Sequence, residues 1–404
     1  MIVGYLLEEI EIYGGLKLDK GKEYVMSKSV VDQINRLFPR SIKKFEKFSE
    51  IYNPLNAFEL EQNKRIFLFR SGGIGDVLFM YPLLYHLKTK FNAYIKIGTS
   101  PIYAGAYENN IYVDKLVPMP FEVNELVDCD YHLMFEGIIE SLNNKEAEVT
   151  HAVDLFLKKG GVNPKDVDPK DKIPRIFITE EEVMRRNKLL NKISMGGIKK
   201  IGVQLAASSP IRSFPLEKFI DIIEELTDKK GYEVYLFGGK YQSNEANYIM
   251  DLLKGKRIIN LLESNPNLRK SIVLASAMDL IIAPDSAFIH IAGAFEIPVV
   301  GLYGCFPSLI RMKYYRNAIG IDCDVACAPS FVHGHSACKR GDPPPCFSVI
   351  EVKNVMDAVD HLLDGNHIGN EYPEYNEFVN GNPIKLIGGV LDEKKDSPEK
   401  ESNS

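Results

Sequence analysis

Twice along this chain a short, largely apolar run leads into a turn of small or polar residues and then into a helical stretch. That recurrence constrains the fold more than any other feature. The first run is residues 66–69, followed by Arg70-Ser71-Gly72-Gly73-Ile74-Gly75-Asp76 and the apolar helix start Val77-Leu78; the second series opens at 200–205. A strand that is apolar at every position is buried on both faces, as in parallel sheets covered by helices on each side. Further strands are expected at 94–98, 115–117 and 131–135, then at 232–237, 280–283 and 298–303, alternating with helices that include 179–193, 216–227 and 352–363. The reading is an α/β fold of two facing doubly wound domains, 61–196 and 197–368, with a small amino-terminal extension over 1–60. Residues 369–404 form a tail whose polar end, 393–404, is expected to be disordered. Ligands of such folds sit in the cleft at the carboxyl ends of the strands.

Composition narrows the function. A chain of 404 residues exceeds one hydrophobic core, and 45% apolar with 26% charged residues excludes wholesale disorder. The net charge of -6 argues against coating nucleic acid by charge. Asp279, Asp285 and Glu296 interrupt the longest apolar region, so no stable membrane insertion is expected. Glu8, Glu9 and Glu11 stand where a secretory signal would want positive charge, which makes the cytoplasm the expected location. Residues 28–48 carry Lys28, Arg36, Arg40, Lys43, Lys44 and Lys47 against Asp32 and Glu46. They read as a helix over 29–38 running on into a basic, solvated face; phosphorylated glycan, a protein chain or modified DNA are the partners such a face would meet.

Three segments carry chemistry. In the first, the glycines allow a sharp turn and close approach of a ligand, the helix start offers N–H groups to an anion, and Asp76 is either a helix cap or a base aimed into the cleft. The string is not G-x-G-x-x-G and no acidic residue closes strand 94–98, which disfavours a nicotinamide dehydrogenase. The second, Asp285-Ser286-Ala287-Phe288-Ile289-His290, puts small residues and a hydroxyl at a helix start suited to a diphosphate; His290 is either a packed core residue or a ligand contact. The third, Ser208 to Pro215, offers Arg212 as a cation for a departing diphosphate, or as a surface arginine.

Together these segments resemble the heptosyltransferases of glycosyltransferase family 9, over about residues 64–365. The G-x-I-G-D turn, Arg212-Ser213-Phe214-Pro215 in place of K-x-W-P, and Asp285 to His290 in place of D-[ST]-G-x-x-H carry the resemblance. Ala287 replaces the glycine of that last element, and Cys305-Phe306 replaces a proline and threonine. The resemblance implies a GT-B fold of two Rossmann-like domains and inverting transfer of a sugar from a nucleotide diphosphate, ADP-heptose foremost, to a glycan or protein hydroxyl. It implies Asp76 as catalytic base and Arg212 as the leaving-group cation, with Gly73, Gly75, Ser208, Glu245, Asp285, Ser286, Ala287 and His290 at the donor. No catalytic metal is expected, and Asp128-Cys129-Asp130 and Asp322-Cys323-Asp324 are read as chance D-x-D strings. The rivals are a nucleotide-sugar epimerase of the same fold and a non-catalytic sugar-nucleotide-binding protein.

Four of the six cysteines, Cys323, Cys327, Cys338 and Cys346, fall close together with His333 and His335 between them. In a reducing compartment such a set reads as a structural zinc or iron site first, as free thiols second, and as disulfides last. The resemblance adds that protein-modifying heptosyltransferases bind iron in such a loop, and a homo-oligomer is compatible with the reading.

Overall fold

The computed structural model describes residues 2–6, 9–12, 16–26, 28–38, 41–47, 61–140, 142, 150–262, 267–323, 325–330, 338, 340–341, 344–364, 375–379 and 382–386. The first parallel sheet uses β1 (Arg65–Phe69), β2 (Tyr94–Thr99), β3 (Lys115–Pro118) and β4 (Tyr131–Met134), in the order β4-β1-β2-β3. After β1 the chain enters α1 (Ile74–Phe79) and, past Met80, α2 (Tyr81–Phe91), whose Pro82 sits where a missing N–H costs nothing. Helix α3 (Ala152–Lys159) follows β4, and α4 (Glu180–Ile193) leads to the second sheet. Thr179 caps α4 as expected: its hydroxyl accepts from Glu182 N and the Glu182 carboxylate accepts from Thr179 N.

The second sheet is built from β5 (Lys200–Gln204), α5 (Leu216–Glu224), β6 (Glu233–Phe237), α6 (Ser243–Leu252), β7 (Ile258–Asn260), α7 (Leu268–Ala275), β8 (Leu280–Pro284), α8 (Ala287–Ala294), β9 (Val299–Tyr303), β10 (Ala318–Asp322), α9 (Val352–Leu363), β11 (Tyr375–Val379) and β12 (Asn382–Leu386). Its order is β7-β6-β5-β8-β9-β10-β11-β12, parallel throughout except for the last pair. Strands β6, β8, β9 and β10 are buried at every position, as in a parallel sheet covered on both faces.

Three features depart from the sequence reading. The basic run is not a continuation of a helix. Helix Lys28–Leu37 stops, and Ile42–Lys47 is a strand paired antiparallel to Ile2–Leu6. Pro39 has no N–H to extend the helix, and Ser41 folds back with both its N–H and hydroxyl onto the Phe38 carbonyl. The small amino-terminal sheet is also not self-contained, because Phe121–Glu122, from the first domain, pairs with its strand Glu23–Met26. Finally, β10 and the β11–β12 hairpin extend the second sheet beyond β9, the last strand expected. The end of the tail, 393–404, lies outside the described residues.

Apolar contact is continuous from one sheet to the other. A single buried cluster includes Ile66, Leu68, Phe79 and Phe156 from the first half with Tyr235, Phe288, Ile289 and Tyr303 from the second. Polar ties reinforce it. The Tyr314 hydroxyl donates to Asp154 of α3 at 2.7 Å, while Arg269 of α7 donates to the Gly105 and Phe177 carbonyls and to the Glu182 carboxylate. No described helix is long and apolar enough to cross a membrane.

Candidate active site

Strand β1 delivers the chain into a turn that its own side chains require. Gly73 has φ +68°, a left-handed conformation, and a Cβ there would lie 2.9 Å from Asp76 Oδ2. Asp76, on the first turn of α1, accepts a hydrogen bond at Oδ2 from Arg70 Nη2 at 2.5 Å. Arg70 is buried and donates also to Glu140 and to the Phe135 carbonyl, so it fixes Asp76 in place. Oδ1 of Asp76 has no hydrogen-bond partner among the described residues. Burial raises the Asp76 carboxyl above the usual range, and the nearby Arg70 and Arg311 charges restrain that rise. The result suits a proton acceptor held at one oxygen and open at the other.

Opposite lies the end of β8. Asp285 is buried, with Arg212 Nη1 at 3.5 Å from Oδ2, and Arg212 Nη2 donates to Ser208 Oγ at 2.7 Å. Burial alone would raise the Asp285 carboxyl, but the Arg212 and Arg311 charges outweigh it and hold it low. Ser286 sits in extended backbone before α8, its hydroxyl oxygen buried and unpartnered.

His290 joins the halves. Its ring packs edge-on to Phe79 of α1 at 4.7 Å, and Nδ1 shares a 2.7 Å hydrogen bond with the Tyr315 hydroxyl. Burial pushes its pKa down to about 3, so the imidazole is neutral. A Cβ on Gly75 would meet His290 Cδ2 at 2.5 Å. The close approach that requires glycine at 75 is therefore the imidazole of the other domain.

Between these parts is a cleft of about 320 Å³. Gly73, Gly75, Asp76, Ser208, Arg212, Asp285, Ser286, Ala287 and His290 all line it. Glu245 does not: it sits on the first turn of α6 with Oε2 buried and unpartnered, while Tyr241, on the turn before, reaches the cleft. Sequence reasoning missed Glu140, Gln204, Tyr241 and Arg311 as lining residues, and Arg70 as the partner of Asp76, while Phe306, singled out as replacing a threonine, lines the cleft. Arg70 was within reach, since it opens the glycine turn. Glu140 and Arg311 carry no local pattern that marks them.

The D-x-D strings serve the scaffold where they are described. Asp128 pairs with Arg65 and Lys96, Asp130 accepts from the Arg65 N–H, and Asp322 holds Ser308; Asp324 lies outside the described residues. The cysteine loop does not assemble the four-thiolate set expected from spacing. All six cysteines are free; the Cys323 thiol donates to the Gly304 carbonyl at 3.5 Å, and Cys338 packs near Cys305 and Phe306. Among the described residues no three His, Cys, Asp or Glu side chains form a group that could hold a metal ion. His333 and His335 are outside the described residues.

Known proteins match this arrangement. Residues 141–339 fit the sequence profile of glycosyltransferase family 9 (heptosyltransferase). Lipopolysaccharide heptosyltransferase 2 of Salmonella typhimurium is 28% identical over 101 residues, which is 24% of this chain and 29% of that protein, so the alignment spans under a third of that relative. Lipopolysaccharide heptosyltransferase 1 of Campylobacter coli is 22% identical over 304 residues, covering 63% of this chain and 86% of that one. Among solved structures, the Escherichia coli ADP-heptose lipopolysaccharide heptosyltransferase II superposes with a TM-score of 0.59 at 17% identity, covering 75% of this chain and 99% of that one. The iron-containing dodecameric glycosyltransferase TibC of enterotoxigenic Escherichia coli superposes at 0.52 and 12% identity, covering 90% and 91%. Residues 141–339 thus carry a glycosyltransferase family 9 (heptosyltransferase) match, and the two parallel sheets share the fold of the solved heptosyltransferases.

Proposed function

We propose that this chain is an inverting glycosyltransferase of the cytoplasm. It moves a heptose-like sugar from a nucleotide diphosphate, ADP-heptose first among candidates, to a hydroxyl of a glycan or protein. The observation that carries the reading is that Asp76 and the Arg212–Asp285–Ser286 group face one cleft from opposite domains. The acceptor hydroxyl gives its proton to Asp76 Oδ1 as its oxygen forms a bond to the anomeric carbon. On the opposite face the bond from that carbon to the diphosphate oxygen breaks, and the electron pair leaves with the diphosphate. Arg212 and the backbone N–H groups that open α8 stabilise the departing charge.

The names of the lipopolysaccharide relatives support ADP-heptose as donor and a glycan acceptor, and TibC makes a homo-oligomer the assembly to look for. A metal held by Cys323, Cys327, Cys338 and Cys346 has no part in these steps, since the described thiols do not fit such a set.

Mass spectrometry with a panel of nucleotide sugars and acceptors tests the proposal. ADP-heptose is expected to be consumed only with an acceptor that gains the sugar mass. Asp76→Asn should lower kcat by about 10²- to 10⁴-fold. Because the base must be ionised and burial raises its pKa, the rate should climb with pH through a limb above the ordinary aspartate range. Donor turnover without acceptor would point to an epimerase, and an Asp76→Asn variant as active as the parent would end the proposal.

A further inference from the structure

Arg311 is a buried cation with no direct ion-pair partner among the described residues. It sits on the short helix Leu309–Met312, is 8% exposed, and lies over the Phe306 ring at 5.1 Å. Both it and Phe306 line the cleft. Its guanidinium makes no hydrogen bond and no ion pair among the described residues. The carboxylates that feel its charge are already taken: Asp76 pairs with Arg70 at 2.5 Å and Asp285 with Arg212 at 3.5 Å. Burying a charge without a partner is costly, so a folded chain that keeps one is poised for an anion from outside. Two further cleft groups have unmet polar atoms, Ser286 Oγ and the buried Gln204 at Oε1, as expected of a site built around a polar ligand.

We infer that Arg311 is the second arginine of the diphosphate pocket, closing on the donor's phosphates from the helix after β9 while Arg212 approaches from the loop after β5. The inference rests on the donor reading above and adds a residue that contacts the leaving group. A planar guanidinium can give two parallel N–H bonds to phosphate oxygens, which an ammonium cannot reproduce.

Calorimetric titration with inorganic pyrophosphate and with ADP, paired with thermal melting, tests it on the full chain. Arg311→Gln and Arg311→Met are expected to weaken pyrophosphate at least tenfold, and Arg311→Lys by less. Without anion, both neutral variants should melt at or above the parent, because a buried charge with no direct partner among the described residues has gone; pyrophosphate should raise the melting temperature of the parent but not theirs. Equal pyrophosphate affinity in Arg311→Gln and the parent, or no pyrophosphate binding by the parent, would overturn the inference. So would neutral variants that melt lower without anion or fail to fold, since that is the mark of a packing role. Arg311-dependent pyrophosphate binding in a protein that consumes no nucleotide sugar would uphold the anion site and remove the sugar-donor reading instead.

Discussion

At position 75 an added methyl would press on an imidazole that cannot retreat, because Tyr315 holds its Nδ1 and Phe79 lies against its face. Gly75→Ala should therefore destabilise the protein by about 1–3 kcal/mol, the usual cost of forcing volume into a packed site. Urea unfolding monitored by circular dichroism measures it; an unchanged midpoint would mean that the ring has room to move. Single residues were legible in the sequence where local geometry dictates them. A carboxylate on the first turn after a buried strand must emerge at the strand's carboxyl end, which placed Asp76. His290 could be seen as core or ligand, but its role as a seam between domains depends on Tyr315 and Phe79, far away in the chain. Arg311 was illegible for the same reason, its meaning lying in the absence of an ion-pair partner among the described residues.

At the scale of elements, the contact between α4 and α7 holds the connection between the two sheets. Arg269 is nearly buried, and it bonds at once to the Glu182 carboxylate and to the Gly105 and Phe177 carbonyls. Arg269→Ala leaves Glu182 and two carbonyls short of a donor, and about 3 kcal/mol of stability should be lost. Equilibrium denaturation in guanidinium chloride is the check, and a loss within about 0.5 kcal/mol would show this contact to be as weak as an ordinary surface pair. The cap of α4 was readable, since a threonine three residues before a glutamate announces a helix start on its own. Strand β10 was not, because Gly320 and the closing Asp322 break its apolar run and only pairing with β9 makes it a strand. The basic stretch after Phe38 was misread for a related reason: charged residues interspersed with Ile42 and Phe45 suit a helix face or a sheet edge, and its pairing with Ile2–Leu6 decides the matter.

For the whole molecule, the continuous apolar cluster and the buried histidines at the seam tie the stability of both halves to proton uptake. Burial drives the pKa of His290 down to about 3 and that of His151 well below its ordinary value. Each stays neutral in the fold but accepts a proton once unfolded, below about pH 6.5. Their contribution is complete above that pH and is lost as pH falls toward 3, at about 1.4 kcal/mol per unit for each while its folded form stays unprotonated. Unfolding free energy should thus drop between pH 6.5 and 5.5, above the range where ordinary carboxylates titrate, with both domains melting together in one calorimetric transition. Flat stability across that window, or two separate transitions, would contradict this.

The fit of Gly75 against His290 also limits how such a protein can be recombined. A bulkier residue on either side can be rescued only by a smaller one on the other, so suppressors of a Gly75 mutation should arise at position 290 or at the aromatic rings that trap it. A chimaera joining one half of this chain to the complementary half of a relative inherits a collision at the join unless both members of the pair travel with their proper mates.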